Sequence, residues 1–366
     1  MRFTLRHAAI ALILLALGYA RSFNAALTLD TNPLWTATPG QAAYPFLTTD
    51  STQRGIAYNP ATGNVLVVSR ATGNTGIFVL NGSTGAVIGQ LNITGITGGT
   101  FAENLIGVGE DGAIYVANLT TASATPATPF KVYRYASEAS GLTTGGNLAP
   151  ANVYSGDPTG GTGARYGDTL DVRGLGASTQ ILVGSRSSAL STILNANNAL
   201  ASSFTAQLVT TDYTNGNLGV AFGSGSQFYS KLNASTALRQ VAVSGTAGTT
   251  TLTGTVVGQT SGMDVDTVDN LIGLVSYSTA STPFNTSLYL YDITDPANPA
   301  LLASRDFPTN VVDANGVGAV AFGSNGVVYA LVTNNGIVAY QLVPEPACVG
   351  LLAVVGLGVL GRRRNT

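Results

Sequence analysis

Apolar residues in this chain fall into runs of four to seven, alternating or continuous. Gly, Asn, Asp or Thr breaks each run before a helical period can be kept for more than about two turns. Such a pattern specifies short β-strands joined by tight turns. The composition agrees: 45 of 366 residues are glycine, 45% are hydrophobic and only 9% are charged. That is too apolar for a disordered chain and too poor in helix formers for a bundle.

The clearest unit lies at 54–91. Residues 54–58 lead through the turn Asn-Pro-Ala-Thr-Gly-Asn at 59–64 into the apolar run 65–69. The stretch 77–80 follows Gly73 and Asn74, and 86–91 follows the turn Asn-Gly-Ser-Thr-Gly at 81–85. Four strands in about 40 residues is the size of one propeller blade. The layout returns more loosely at 105–135, from 168–184, from 218–229, at 263–292 and at 319–342. The last unit has three strands, and the unassigned segment 27–38 is expected to supply its missing outer strand, closing a ring and hiding free sheet edges. The expected fold is all-β: a β-propeller of about six four-stranded blades spanning 27–343. Seven blades, a β-sandwich pair or a β-helix are the alternatives that Gly-rich turns also permit. Tyr58, Tyr115, Phe222, Tyr229, Tyr289, Phe322 and Tyr329 are expected to pack between blades. Segments 120–129 and 143–163 read as long loops.

Both ends carry sorting signals. Residues 1–26 form a signal peptide: basic Arg2 and Arg6, an apolar run at 8–17, and cleavage after Ala20, Ala25 or Ala26. The apolar run is shorter than the roughly 20 residues that span a bilayer. At the other end, Pro344-Glu345-Pro346 is followed by an apolar run at 348–360 and by Arg362, Arg363 and Arg364. This order resembles the PEP-CTERM sorting signal of Gram-negative bacteria. The resemblance implies transient membrane insertion of a C-terminal hydrophobic helix at 344–366, with the arginines on the cytoplasmic side. Signal peptidase and an exosortase-like processing enzyme are then the implied partners. An ordinary C-terminal anchor is the alternative. Cys348 reads as a small apolar residue at the head of that helix. The Asn-Pro-x-Thr-Gly turns before apolar runs resemble the Gly-rich blades of bacterial surface propellers, and the whole chain resembles an extracellular propeller family that carries PEP-CTERM tails. The implied location is the cell surface, outer envelope or extracellular matrix.

Between the signals, 27–343 holds ten Lys or Arg against seventeen Asp or Glu, a net charge of −7. Such an acidic domain without a basic stripe does not suit nucleic acid. The single histidine, His7, and the single cysteine, Cys348, both lie in the terminal signals. Triad catalysis, His or Cys zinc sites and disulfides are thereby excluded from the domain.

Hard oxygen ligands are densest at Asp264, Asp266, Asp269 and Asn270, a candidate calcium or ligand site, with calcium the one candidate cofactor. Asp168 and Asp171 form a weaker copy beside Arg173. The bland reading is a set of polar turn residues. If the units are blades, these acids and Arg54 lie near innermost strands and line the channel. Paired carboxylates there would suit a polysaccharide lyase or glycosidase. The favoured function is a non-enzymatic surface or matrix protein that binds or scaffolds, associated with exopolysaccharide or surface proteins; a purely structural coat protein is the third reading.

Overall fold

The computed structural model describes residues 26–213 and 218–345, and among them 25 strands, one short α-helix and one 3-10 turn at Gly176–Ser178. Two compact units divide the chain, 29–342 and a second made of 1–28 with 343–366. In the second, the described residues are joined by a hydrogen bond from Glu345 N to Ala26 O at 2.8 Å. The signal-peptide residues 1–25 and the tail from Pro346 through Arg362, Arg363 and Arg364, with Cys348, lie outside the described residues. No helix among the described residues is long and apolar enough to cross a membrane.

The larger unit is all-β and propeller-like. Strands β1 (Leu27–Leu29) and β2 (Trp35–Ala37) come first, and an antiparallel meander follows: β3 (Gln53–Asn59), β4 (Asn64–Ala71), β5 (Asn74–Asn81) and β6 (Val87–Leu91). A second meander comprises β7 (Phe101–Val108), β8 (Ile114–Leu119), β9 (Phe130–Tyr135) and β10 (Ala151–Gly156), with helix α1 (Glu138–Gly141) between its last two strands. Next come β11 (Leu170–Arg173), β12 (Gln180–Gly184), β13 (Leu190–Ala196) and β14 (Phe204–Thr211), then β15 (Gly219–Phe222), β16 (Gln227–Lys231), β17 (Ala237–Ser244) and β18 (Ala247–Thr255). These eight make one sheet because β14 and β18 pair in parallel over two residues, Thr210 with Ala247 and Thr211 with Gly248. A further meander holds β19 (Thr260–Asp266), β20 (Leu271–Ser276), β21 (Ser287–Asp292) and β22 (Ala300–Asp306). The last sheet holds β23 (Gly318–Phe322), β24 (Val327–Val332) and β25 (Gly336–Pro344), with β1 and β2 both pairing β25.

The expected recruitment of 27–38 to the last sheet is therefore found, with Trp35 opposite Ala339 and Ala37 opposite Ile337. Segment 143–163, read as a loop, instead contains β10. Its strand is an edge on which only Val153 is buried, so little apolar alternation marks it in the sequence.

Continuous apolar runs arise because the middle strands are covered on both faces. On β4, Val65 and Val67 join a core shared with Tyr329, Leu331 and Ile337 of the last sheet. Leu66 and Val68, pointing the other way, join a core shared with Ile106, Ile114 and Val116 of the next sheet. Sheets thus stack face to face through alternate residues. Aromatic residues bridge them as expected: Tyr58 stacks on Tyr329 at 5.7 Å, and Tyr115 meets Phe204 edge-on at 5.8 Å. At the seam, Trp35 Nε1 and the Tyr329 hydroxyl both donate to Gly82 O, at 2.8 and 3.1 Å.

The first strands succeed one another around an axis: β3 lies against β7, β7 against β11, β11 against β15, β15 against β19, β19 against β23, and β23 against β3. Their approach is close enough that a Cβ on Gly262 would collide with the main chain of Gly318 and Ala319, so this position of β19 tolerates only glycine.

Candidate ligand site in the channel

Each first strand presents one edge to its own sheet and leaves the other toward the axis, where its main-chain amides need partners. β11 supplies them to β15 through three alternate side chains. Thr169 Oγ1 accepts from Val220 N at 3.0 Å, Asp171 Oδ2 accepts from Phe222 N at 2.6 Å, and Arg173 Nη1 donates to Gly223 O at 3.0 Å. The Arg173 guanidinium also lies 4.0 Å over the Phe222 ring. Asp264 repeats the device from β19, its Oδ2 accepting from Phe322 N of β23 at 2.8 Å. The other oxygen of each carboxylate accepts from the amide that follows it, Val172 N at 2.7 Å and Val265 N at 2.8 Å. Asp171 and Asp264 are thus clasps between neighbouring first strands.

Both carboxylates line one cavity of about 230 Å³, together with Tyr58, Glu110, Phe322 and Ser324 at the C-terminal ends of the first strands. Both residues are half-buried. Burial pushes both pKa values well up, and the Asp171 charge raises Asp264 further. Ile56, Ile106, Leu170, Met263 and Val320 line this cavity and also a smaller one of about 40 Å³ on the other side, forming an apolar waist.

Beyond the waist, where the first strands begin, Asp168 lines the smaller cavity. Asp168 is buried and takes a two-pronged contact from Arg165, with Nη2 to Oδ1 at 2.7 Å; Arg186 Nη1 stands 3.9 Å from the same Oδ1. Arg54, only 7% exposed, donates from Nε to Ser51 O at 3.2 Å, and Arg70 Nη2 donates to the same carbonyl at 3.3 Å. Among the described residues no hydrogen bond from either Nη of Arg54 is found. Burial lowers the Arg54 pKa; Asp313 and Asp168 oppose that, while Arg165 and Arg186 reinforce it. Asp313 is fully buried with its oxygens held by Asn315 N and Val317 N, and burial raises its pKa. Lys231, also fully buried, donates to the carbonyls of Leu232, Asn233 and Thr260 at 3.3 to 3.5 Å, and burial brings its pKa down to about 7.

Of the oxygen-bearing residues singled out in the sequence, Asp171 and Asp264 line the same channel cavity. Asp168 lies before β11, on the far side of the waist. Asp266 caps its own hairpin, accepting from Val268 N at 2.8 Å and Asp269 N at 3.2 Å, while Asp269 and Asn270 are exposed in that turn. Asp266 and Asn270 border a separate cleft with Gln227 and Tyr229. Among the described residues no three acidic, His or Cys side chains gather as a metal centre. Sequence reasoning noted Arg54 but missed Arg165, Arg186 and Lys231. The available signal was positional: each cation sits just before a unit's first strand or at the end of its second.

No protein-family model and no curated protein matches the chain. Among solved structures, it resembles a structural-genomics protein of unknown function from Bacteroides thetaiotaomicron, with a TM-score of 0.53 and 12% identity over 87% of this chain and 76% of that one. The likeness is one of fold.

Proposed function

We propose that this is an exported binding and scaffolding protein of the bacterial surface or matrix, a six-bladed propeller that holds exopolysaccharide at the arginine-bearing mouth of its channel. The blade count rests on splitting the eight-stranded sheet at its two-residue parallel junction into two four-stranded meanders. Six first strands then surround the axis. Export rests on the terminal motifs: the N-terminal signal sequence, and Pro344-Glu345-Pro346 with its apolar run and Arg362, Arg363 and Arg364.

The observation that carries binding is Arg54, 7% exposed, which among the described residues spends only Nε on a hydrogen bond, to the Ser51 carbonyl that Arg70 also meets. Catalysis is disfavoured because Asp171 and Asp264, two of the three acids that line the cavity with Glu110, already have both oxygens bonded to main-chain amides. The test is co-sedimentation of the full chain with exopolysaccharide from a PEP-CTERM-bearing bacterium. Saturable retention supports the proposal; none at any salt concentration overturns it. For the address, alanine at Pro344, Glu345 and Pro346 together should leave unprocessed protein in the inner membrane, and normal release to the surface would refute the sorting step.

A further inference from the structure

We propose that a cleft between the meanders β15–β18 and β19–β22, with Tyr229 in its wall, binds one neutral sugar residue. The cleft lies past the C-terminal ends of β15 and β19, away from Arg54 at the start of β3. It goes beyond the function stated above, since none of the arginines takes part.

Two sheet junctions correspond residue by residue. Val220-Ala221-Phe222-Gly223-Ser224 recurs as Val320-Ala321-Phe322-Gly323-Ser324, and each alanine stands opposite a tyrosine of the next strand, Tyr229 and Tyr329. In the sheets packed against them, Val265 and Tyr58 hold the same place, next to last in the first strand and ahead of the turns 267–270 and 60–63. Tyr58 stacks on Tyr329 at 5.7 Å, and its hydroxyl lies 3.3 Å from Ser324 Oγ. The Tyr329 hydroxyl accepts from Asn325 Nδ2 and donates to Gly82 O, both at 3.1 Å. At the other junction the stacking place holds the smaller Val265, and a cleft of about 190 Å³ stands beside Tyr229. Tyr329 is fully buried, while Tyr229 keeps 5% exposure. Tyr229 Oη accepts from Gln240 Nε2 at 3.0 Å, and among the described residues no acceptor for its own proton is found.

The lining selects the ligand. Gln227, Gln240, Asn270 and Thr294 surround Tyr229 with groups that both donate and accept. Asp266 carries the one charge of the lining; its Oδ1 is held by Val268 N and Asp269 N, which leaves Oδ2 to accept from a hydroxyl. Amides, one carboxylate oxygen and an aromatic ring suit a body with hydroxyls at its rim and C–H groups on its faces. An anion would find no counter-charge there. The volume falls below the roughly 300 Å³ at which pockets for drug-sized ligands begin, so the occupant is a single ring.

The experiment is ligand-observed saturation-transfer NMR on the full chain in a detergent without sugar groups. Methyl β-D-glucoside, methyl β-D-galactoside and methyl α-D-mannoside are titrated beside sodium D-glucuronate and tetramethylammonium chloride, on wild type, Val265→Tyr and Gln227→Ala. At least one glycoside should bind wild type, and more tightly than either ion. Val265→Tyr supplies the ring that Tyr58 supplies at the other junction and should abolish the signal. Gln227→Ala, at a half-buried side chain, should weaken binding about fivefold, the loss of one hydrogen bond, and decides alone if Val265→Tyr does not fold. No signal from any glycoside, tighter binding of either ion, or wild-type affinity in either folded variant would each overturn the inference.

Discussion

Replacing Asp264 with asparagine removes a buried ionisation while keeping one acceptor oxygen for the clasp to β23. Burial, with Asp171 adding to it, pushes the Asp264 carboxyl from 3.8 up to about 8. Below the unfolded value both states hold the proton. Between about pH 4 and pH 8 the folded chain keeps a proton that the unfolded chain has released, so stability falls as pH rises, by about 1.4 kcal/mol per unit. Asp171, pushed to about 6, contributes the same slope only up to that pH. Comparing wild type with Asp264→Asn at pH 6 and pH 8 therefore isolates Asp264: wild type should lose roughly 2 to 3 kcal/mol more than the variant, near 5 °C in thermal midpoint at roughly 2 °C per kcal/mol. Lys231, lowered to about 7, has the opposite sign above that pH and is common to both proteins, so it drops out of the difference. At pH 6 Asp264→Asn should be about 1 kcal/mol less stable than wild type, through one lost hydrogen bond, and at pH 8 more stable. Thermal unfolding followed by circular dichroism at both pH values reads this crossing. Parallel curves for the two proteins would refute the reasoning.

Trp35→Ala should cost about 3 to 5 kcal/mol, because it empties a core site and removes the seam contact to Gly82, and denaturant unfolding would measure it. Glu138, 4% exposed, gathers Asn59 Nδ2, Thr62 Oγ1 and Asn64 Nδ2 at 3.2, 2.7 and 2.7 Å. Glu138→Ala should therefore loosen the 59–64 turn and cost about 2 to 4 kcal/mol, with faster amide exchange at that turn; unchanged exchange would refute it. Gly262→Ala should cost about 1 to 3 kcal/mol or more, since neither backbone at the β19 and β23 approach can retreat, and a thermal midpoint equal to wild type would contradict that geometry.

Strand positions were legible wherever a strand is covered on both faces. Val65 through Val68 advertise themselves as an apolar run because neighbouring sheets claim alternate residues. Exposed outer strands were not, since β10 buries one side chain and β18 is mostly threonine facing solvent. The pair Asp171 and Asp264 was visible as residues but not as a pair. Nothing in local spacing tells that each reaches across to an amide of the following first strand. The arginines were least legible, because Arg165 and Arg186 converge on Asp168 from separate loops and Arg54 comes near them only through the packing of first strands. Short polar loops place them there without any periodic pattern.

The seam in the last sheet fixes an order of assembly. Leu34 N bonds to Ala339 O and Asp30 N to Gln341 O, so segments about 300 residues apart in the chain must meet before the ring is complete. A nascent chain emerging from its N-terminus holds Trp35 and the outer face of β3 uncovered until β24 and β25 arrive. Whatever shields that face during synthesis must remain engaged almost to the end, and a stall before residue 336 leaves an open arc instead of a smaller closed ring.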